Sequence, residues 1–204
     1  MKPAIERRNF NVTEFRTITD DKGLRKITGY AAVFNSISDE CGWFKEKIEP
    51  GAFGESIGKD DIRALWNHDS NYVLGRNKSG SLMLVEDTHG LKIEIDPPDT
   101  QWARDLMVSM ERGDISQMSF GFQTLTDRWE LQEGKEIRTL EKVKLFDVSA
   151  VTFPAYPDTE VGLRSLEEYR KTAPPVGVKD GVEAQVHTDL LGEEDLIYRS
   201  MMNF

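Results

Sequence analysis

A long predicted strand opens with Ile115-Ser116-Gln117-Met118-Ser119-Phe120-Gly121-Phe122, at the middle of the 204-residue chain. It follows a charged amphipathic segment and carries two serines in an otherwise apolar run that contains a glycine. A serine in such a run is either a strand hydroxyl with a hydrogen-bond partner or a nucleophile. The choice depends on whether the fold brings a base to it.

The segments on either side of this run predict a chain rich in β-strands. Alternating apolar residues bounded by turn residues favour strands at 10–19, 26–35, 43–49, 61–66, 72–76, 81–86, 91–95, 118–129 and 136–148. Residues 101–112 have the four-residue apolar spacing of a helix, and 165–171 favour a shorter one. We therefore expect an α+β fold, a mostly antiparallel sheet or small β-barrel with surrounding helices.

The composition and periodicity of the sequence change near residue 172. Residues 172–186 are rich in proline, glycine and charge without a period, which is typical of a linker. Residues 188–204 place apolar side chains among acids, and a short amphipathic helix and a disordered tail are equally compatible with them. We expect one domain over 1–171 and an acidic flexible tail over 172–204.

Composition narrows the classes of function. A net charge of −10 argues against nucleic-acid binding, which favours a basic surface. The sequence has no apolar run long enough to cross a membrane and no apolar leader segment, so we expect a soluble cytoplasmic protein. Cys41 is the single cysteine, so no internal disulfide can form.

Histidine is the side chain best suited to act as a base near neutral pH, and the chain has 3 of them. His68 follows a strand of buried type and is the strongest candidate. His89 lies in a predicted hairpin turn, and His187 lies in the tail. Position alone favours the simpler interpretation, in which His68 only bonds loop carbonyls.

Ser119 is a better candidate nucleophile than Ser116, which lies nearer the helix end and is typical of a turn. Gly121 would let a substrate approach the backbone, and N–H groups near Ser119 could face an oxyanion. On the sequence alone, a serine in such a position is more often a plain strand serine than a nucleophile.

Asp147 stands between Phe146 and Val148, and a carboxylate is costly to bury in an apolar strand unless it is paired. It could orient His68, or it could reach solvent or an arginine such as Arg138. Asp69 and Asp158 are alternative acids for orienting His68.

Familiar cofactor and hydrolase motifs are absent from the sequence. It has no HExxH, no paired cysteines, no Walker loop, no GxGxxG and no GxSxG. We therefore expect no cofactor and no metal.

Five segments, in order, resemble those of a known family. They are Tyr30-Ala31-Ala32-Val33-Phe34, Ile48-Glu49-Pro50-Gly51-Ala52-Phe53, Leu65-Trp66-Asn67-His68-Asp69 followed by Leu74-Gly75-Arg76, Met118-Ser119-Phe120-Gly121-Phe122, and the segment 146–157. Together they resemble the prohead (capsid maturation) serine proteases of tailed bacteriophages, over roughly 29–163.

This resemblance implies a fold similar to the herpesvirus assemblin proteases, a small β-barrel wrapped by helices. It implies a serine endopeptidase that cleaves the scaffolding protein, or the scaffolding region of the capsid subunit, and commonly itself. The family's histidine falls on His68, its serine on Ser119, and its acidic third member on Asp147. Assemblins use a second histidine in that third place, for which His89 is the candidate within the domain.

The implied partners are the phage scaffolding protein and the major capsid protein, with a homodimer as a further option from the assemblin resemblance. The implied location is the host cytoplasm, within the prohead during assembly. The tail could target the enzyme into the shell and be trimmed by autolysis. The alternatives are a catalytically silent capsid-assembly or scaffold-binding module of the same fold and a serine hydrolase of another substrate class.

Overall fold

The computed structural model describes residues 5–11, 15–19, 21, 23–37, 44–153 and 159–172. Cys41, Asp158, His187 and the rest of the predicted tail from 173 onward lie outside these residues. Expectations for them stay predictions.

The described elements are mostly strands, with three α-helices among them. In chain order they are β1 (Glu6–Asn11), β2 (Arg16–Thr19), β3 (Arg25–Val33), β4 (Lys45–Ile48), α1 (Gly54–Lys59), β5 (Arg63–Trp66), β6 (Asp69–Arg76), β7 (Leu82–Glu86), β8 (Gly90–Ile95), α2 (Gln101–Glu111), β9 (Gln117–Gln132), β10 (Lys135–Val151) and α3 (Thr159–Thr172).

These strands pair into two sheets. A six-stranded sheet has the order β1-β9-β10-β5-β6, with β4 also paired to β10, and a four-stranded sheet has the order β2-β3-β8-β7. The β4–β10 and β5–β10 pairs are parallel, and the other described pairs are antiparallel. The prediction of a strand-rich, mostly antiparallel α+β fold is confirmed, but the hydrogen bonds of the described strands form two sheets rather than one closed barrel.

One hydrophobic core lies against both sheets. Phe120 and Phe122 of β9 are fully buried in it, as are Ile27 and Ile93 of the four-stranded sheet. Because successive side chains of a strand point to opposite faces, Ser119 and Gly121 lie on the other face of β9. That outer face of the six-stranded sheet carries the site described below.

The sequence prediction of the first strand was wrong in one respect. The apolar alternation favoured a single strand over 10–19, whereas β1 and β2 are separate strands in different sheets. The reason is that β1 buries charge: Glu6 is 0% exposed and Arg8 is 5% exposed. A strand whose inward positions are ionic has no apolar alternation to detect.

Those buried charges belong to an ion network around Arg138 of β10. The Arg138 guanidinium donates to Glu6 at 2.7 Å, to Glu46 at 3.1 Å and to Asp127 at 2.6 Å. Arg8 donates to Glu46 at 2.7 Å and to Glu6 at 2.9 Å. Each buried charge therefore has an opposite partner, which is the condition for keeping charge inside a protein.

The same network reaches α3. Asp127 also accepts a bond from the Ser165 hydroxyl at 2.9 Å, and the Trp129 indole N–H donates to Ser165 at 2.9 Å. Trp129 stacks on Tyr169 of α3, with ring centroids 6.0 Å apart. Helix α3 is thus held on the far part of the β9–β10 hairpin.

Candidate active site

The candidate base His68 lies in the two-residue turn that joins β5 to β6. Trp66 pairs with Asp69 across this hairpin, and between them Asn67 and His68 have φ angles of 54° and 56°. Positive φ at both central residues defines a type I′ turn, which favours asparagine first and glycine second. A histidine in the second place is strained, and strain of this kind is concentrated at functional sites.

Asn67 fixes this turn to the end of β10. Its backbone N–H donates to the Ala150 carbonyl at 2.8 Å. Its side-chain oxygen accepts the Thr152 N–H at 2.8 Å, and its amide nitrogen donates to the Thr152 hydroxyl at 3.2 Å. These three bonds hold His68 over β10, so the imidazole is positioned by the strand that also carries Asp147.

The candidate nucleophile Ser119 lies on β9, directly opposite Ser149 of β10. Its neighbours Met118 and Phe120 face the core and are fully buried. Ser119 itself has no exposed surface. Ser116 is exposed and lies immediately before the strand.

Asp147 faces the same side of the sheet as Ser119 because of a β-bulge. Leu145 pairs with Phe122 and Asp147 with Gly121, which leaves Phe146 as the extra residue. Leu145 and Val148 both face the core, so the bulge resets the alternation within these four residues. Without it, Asp147 would share the inward side with Leu145.

Gly121 makes room for the Asp147 carboxylate. A Cβ atom at Gly121 would lie 2.4 Å from Asp147 Oδ2, far inside contact distance. We expected this glycine on the oxyanion side of the site, but its contact is with the acid. The structural reason for a glycine here is the close approach of a side chain from the neighbouring strand.

The imidazole of His68 bridges the serine and the acid. His68 Nε2 lies 2.7 Å from Ser119 Oγ, and His68 Nδ1 lies 2.6 Å from Asp147 Oδ1. The side chains of His68 and Asp147 are only 6% and 14% exposed. A carboxylate can only accept, so Nδ1 carries the ring proton and Nε2 presents its lone pair to the serine hydroxyl. This is the arrangement that activates a serine for nucleophilic attack.

Ser149 is a fourth polar group in this cluster. Its hydroxyl donates to Asp147 Oδ1 at 2.7 Å and lies 3.2 Å from His68 Nδ1. It has no exposed surface. In the sequence, only the proximity of Ser149 to Asp147 hints at this contact.

The alternative acid and base residues have other partners. His89 packs edge-on against Tyr30, with ring centroids 4.6 Å apart, and its backbone N–H donates to Asp87. Asp69 accepts two bonds from Asn71, both at 2.8 Å. Arg138, the alternative partner for Asp147, belongs to the buried ion network.

Sequence reasoning selected His68, Ser119 and Asp147, and the fold brings these three side chains into contact. It did not identify Asn67, Ser149 or the role of Gly121. The contacts of Asn67 and Ser149 depend on the register between β10 and the β5–β6 turn, which joins residues about 80 positions apart. The contact of Gly121 with Asp147 depends instead on the register between β9 and β10. The Asn67-His68 pair was the one local signal, because asparagine is favoured at the first place of a type I′ turn.

No group of three or more histidine, cysteine or acidic side chains in the described part of the chain could hold a metal ion. None of the helices described there is long and apolar enough to cross a membrane.

Comparison with known proteins connects this geometry to a family. No curated protein matches the chain. Among solved structures, the bacteriophage T4 capsid assembly protease gp21 is similar, at 12% identity and a TM-score of 0.44, over 76% of this chain and 100% of that one. The family model for the caudovirus prohead serine proteases matches residues 12–172, which is most of the chain. The chain therefore belongs to the prohead serine protease family, the proteases of capsid maturation in tailed bacteriophages.

Proposed function

We propose that this chain is a serine endopeptidase that cleaves the phage scaffolding protein, or the scaffolding region of the major capsid protein, inside the prohead. Ser119 is the nucleophile, His68 the general base and Asp147 the residue that orients the imidazole. The observation that carries the proposal is the unbroken contact from Ser119 through His68 to Asp147, with distances of 2.7 Å and 2.6 Å.

In the first step, Ser119 Oγ attacks the carbonyl carbon of the scissile peptide bond. The hydroxyl proton moves to His68 Nε2, and the carbonyl oxygen takes up the negative charge. Asp147 stabilises the imidazolium through the Nδ1–H bond and keeps the ring in place. The imidazolium then gives its proton to the leaving amine, so the peptide C–N bond breaks and an acyl-enzyme remains.

In the second step, water replaces the amine. His68 Nε2 takes a proton from the water while its oxygen attacks the ester carbonyl carbon. The proton returns to Ser119 Oγ as the ester bond breaks, and the carboxylic acid product leaves. Both steps use the same three side chains, in line with the serine hydrolase mechanism.

The oxyanion needs N–H donors that are not already bonded. At Ser119, β9 is paired on both sides, with Asn9 of β1 and Ser149 of β10 opposite. The sheet therefore competes for the backbone N–H groups of β9. We infer that the oxyanion is stabilised by N–H groups of other segments, those that face the Ser119 hydroxyl. Because Ser119 has no exposed surface, these segments must also move to admit a peptide.

Family membership supports the choice of substrate and setting. The scaffolding protein and the major capsid protein are the proposed partners, and the prohead in the host cytoplasm is the proposed location. We further propose that the chain cleaves itself within the acidic tail and that it forms a homodimer. An assemblin-like fold also remains part of it, supported by the strand-rich architecture with helices packed on the sheets.

The test is cleavage in a reconstituted assembly. The full chain is co-expressed with its capsid and scaffolding proteins, and intact mass reports every product. Ser119→Ala is expected to abolish cleavage of the scaffold and of the chain, whereas the exposed Ser116→Ala is expected to leave both unchanged. Normal cleavage by Ser119→Ala would overturn the assignment of the nucleophile.

The same experiment addresses the catalytically silent alternative. A scaffold-binding module would assemble shells equally well with serine or alanine at 119, and no mass change would occur in either case. The silent module does not need the His68–Ser119 contact, and the hydrogen-bonded geometry therefore favours the enzyme.

A further inference from the structure

We propose that Ser149 is a positioning residue for the reaction. It holds the Asp147 carboxylate and the His68 imidazole in contact while positive charge develops on the ring. This inference rests on the proposed function of Ser119, His68 and Asp147. It adds a fourth side chain to that set, one that contacts the base and the acid at once.

The hydrogen-bond capacities of the groups fix how Ser149 acts. Asp147 Oδ1 accepts from the His68 Nδ1–H at 2.6 Å and from the Ser149 hydroxyl at 2.7 Å. The hydroxyl proton of Ser149 is thus committed to the carboxylate. Its oxygen lone pair, 3.2 Å from His68 Nδ1, can then accept a share of the same ring proton.

This three-centre arrangement has its strongest effect when His68 is positively charged. After the ring takes the proton of Ser119, its Nδ1–H becomes a charge-assisted donor. Its hydrogen bonds to the Asp147 carboxylate and to the Ser149 oxygen both become stronger. An interaction that strengthens as the charge appears lowers the barrier more than it improves substrate binding. We therefore expect Ser149 to contribute to kcat rather than to KM.

Burial makes the contact specific to this serine. Ser149 has no exposed surface, so water cannot readily replace its hydroxyl. It lies on β10 two residues beyond Asp147 and directly opposite Ser119. These positions place its hydroxyl on the same face as the two groups it contacts, a placement that depends on the bulge at Phe146.

Ser165 of α3 provides a control outside the site. Its hydroxyl also donates to a carboxylate, Asp127, at 2.9 Å. It also accepts the Trp129 indole N–H at 2.9 Å. These contacts lie on the far part of the β9–β10 hairpin, so Ser165→Ala reports the general cost of losing a serine hydroxyl that binds a carboxylate.

The experiment uses the full chain and two readouts that need no natural substrate. The first is the rate of Ser119 phosphonylation by a fluorophosphonate probe, followed by intact mass, with Ser119→Ala as the blank. The second is the proton resonance of the His68 Nδ1–H in histidine labelled with nitrogen-15. Thermal unfolding and the amide spectrum check that each variant is folded.

Ser149→Ala is expected to slow labelling about 10- to 100-fold, the range for losing a hydrogen bond to a charged group. It should also shift or broaden the Nδ1–H resonance. Ser149→Cys, nearly the same size but a weaker donor, should fall between alanine and serine. Ser165→Ala is expected to lower the unfolding temperature and leave both site readouts unchanged.

Two results would count against different parts of the argument. A folded Ser149→Ala variant with the wild-type labelling rate and an unchanged Nδ1–H resonance would overturn the role of Ser149. Absence of labelling in the wild-type chain would instead count against Ser119 as the nucleophile. In that case a resonance that still moves in Ser149→Ala would support the positioning contact by itself.

Discussion

At the scale of single residues, His68 shows a conflict between local backbone preference and chemistry. Its φ of 56° is costly for a residue with a Cβ and free of that cost for glycine. We expect His68→Gly and His68→Ala to abolish cleavage equally, because both remove the imidazole. His68→Gly should nevertheless be the more stable of the two by about 1 kcal/mol. Urea unfolding measures the difference, and equal stabilities would show that the turn is not strained.

Gly121 is the second residue at which a small change has a large expected effect. Gly121→Ala places a methyl group where the Asp147 carboxylate lies, at 2.4 Å from Oδ2, so the acid must move away from His68. A displacement of this size is expected to reduce the cleavage rate about 100-fold. The rate of scaffold cleavage by purified variants measures it.

Gly58→Ala is the control for that substitution. Gly58 lies in α1, and a Cβ there would meet nothing within 4 Å. This variant should cleave normally and gain up to about 1 kcal/mol in stability from the better helix former. If Gly121→Ala behaved in the same way, Asp147 would not be confined by β9.

At the scale of elements, the sequence predicted a strand or helix correctly where a regular apolar pattern extended over many residues. The two long strands β9 and β10 and the helix α2 were predicted close to their observed bounds, because alternation and four-residue spacing are local properties. His68 and Ser119 could be chosen as candidates because histidines are few and because the motifs occur in family order.

What the sequence could not predict depends on long-range register. The bulge at Phe146 turns Asp147 to the outer face, and no single-residue preference marks it. The contact between Ser149 and His68 joins residues 81 positions apart. β1 was missed for a different reason, because its buried side chains are charged and pair with elements from elsewhere in the chain.

At the scale of the whole molecule, the buried ion network joins β1 to α3, which lie at opposite ends of the described chain. Glu6 of β1 binds Arg138 of β10 across 132 positions, and Arg138 binds Asp127, which in turn holds Ser165 of α3. β1 lies beside β9 at the level of Ser119. The network therefore stabilises an edge of the sheet next to the candidate nucleophile, although none of its charges belongs to the site.

This network should govern the response of the fold to acid. Burial alone would raise the pKa of Glu6, but hydrogen bonds and charges from Arg138 and Arg8 outweigh it and lower the pKa below its ordinary 4.5. A lowered folded-state pKa adds stability above about pH 4.5, and that stability is lost as the pH falls through the folded pKa. We expect Glu6→Gln to lose about 3 kcal/mol at pH 7, because it leaves a buried arginine short of a partner. Its stability should then fall less than that of the wild type on acidification.

Asp61→Asn is the control: the hydrogen bond from Arg76 lowers the pKa of Asp61 to about 2, but the pair lies at the surface, so the curve should follow the wild type. Urea unfolding from pH 7 to pH 3 measures all three proteins. A Glu6→Gln curve parallel to the wild type would show that the network does not control acid unfolding.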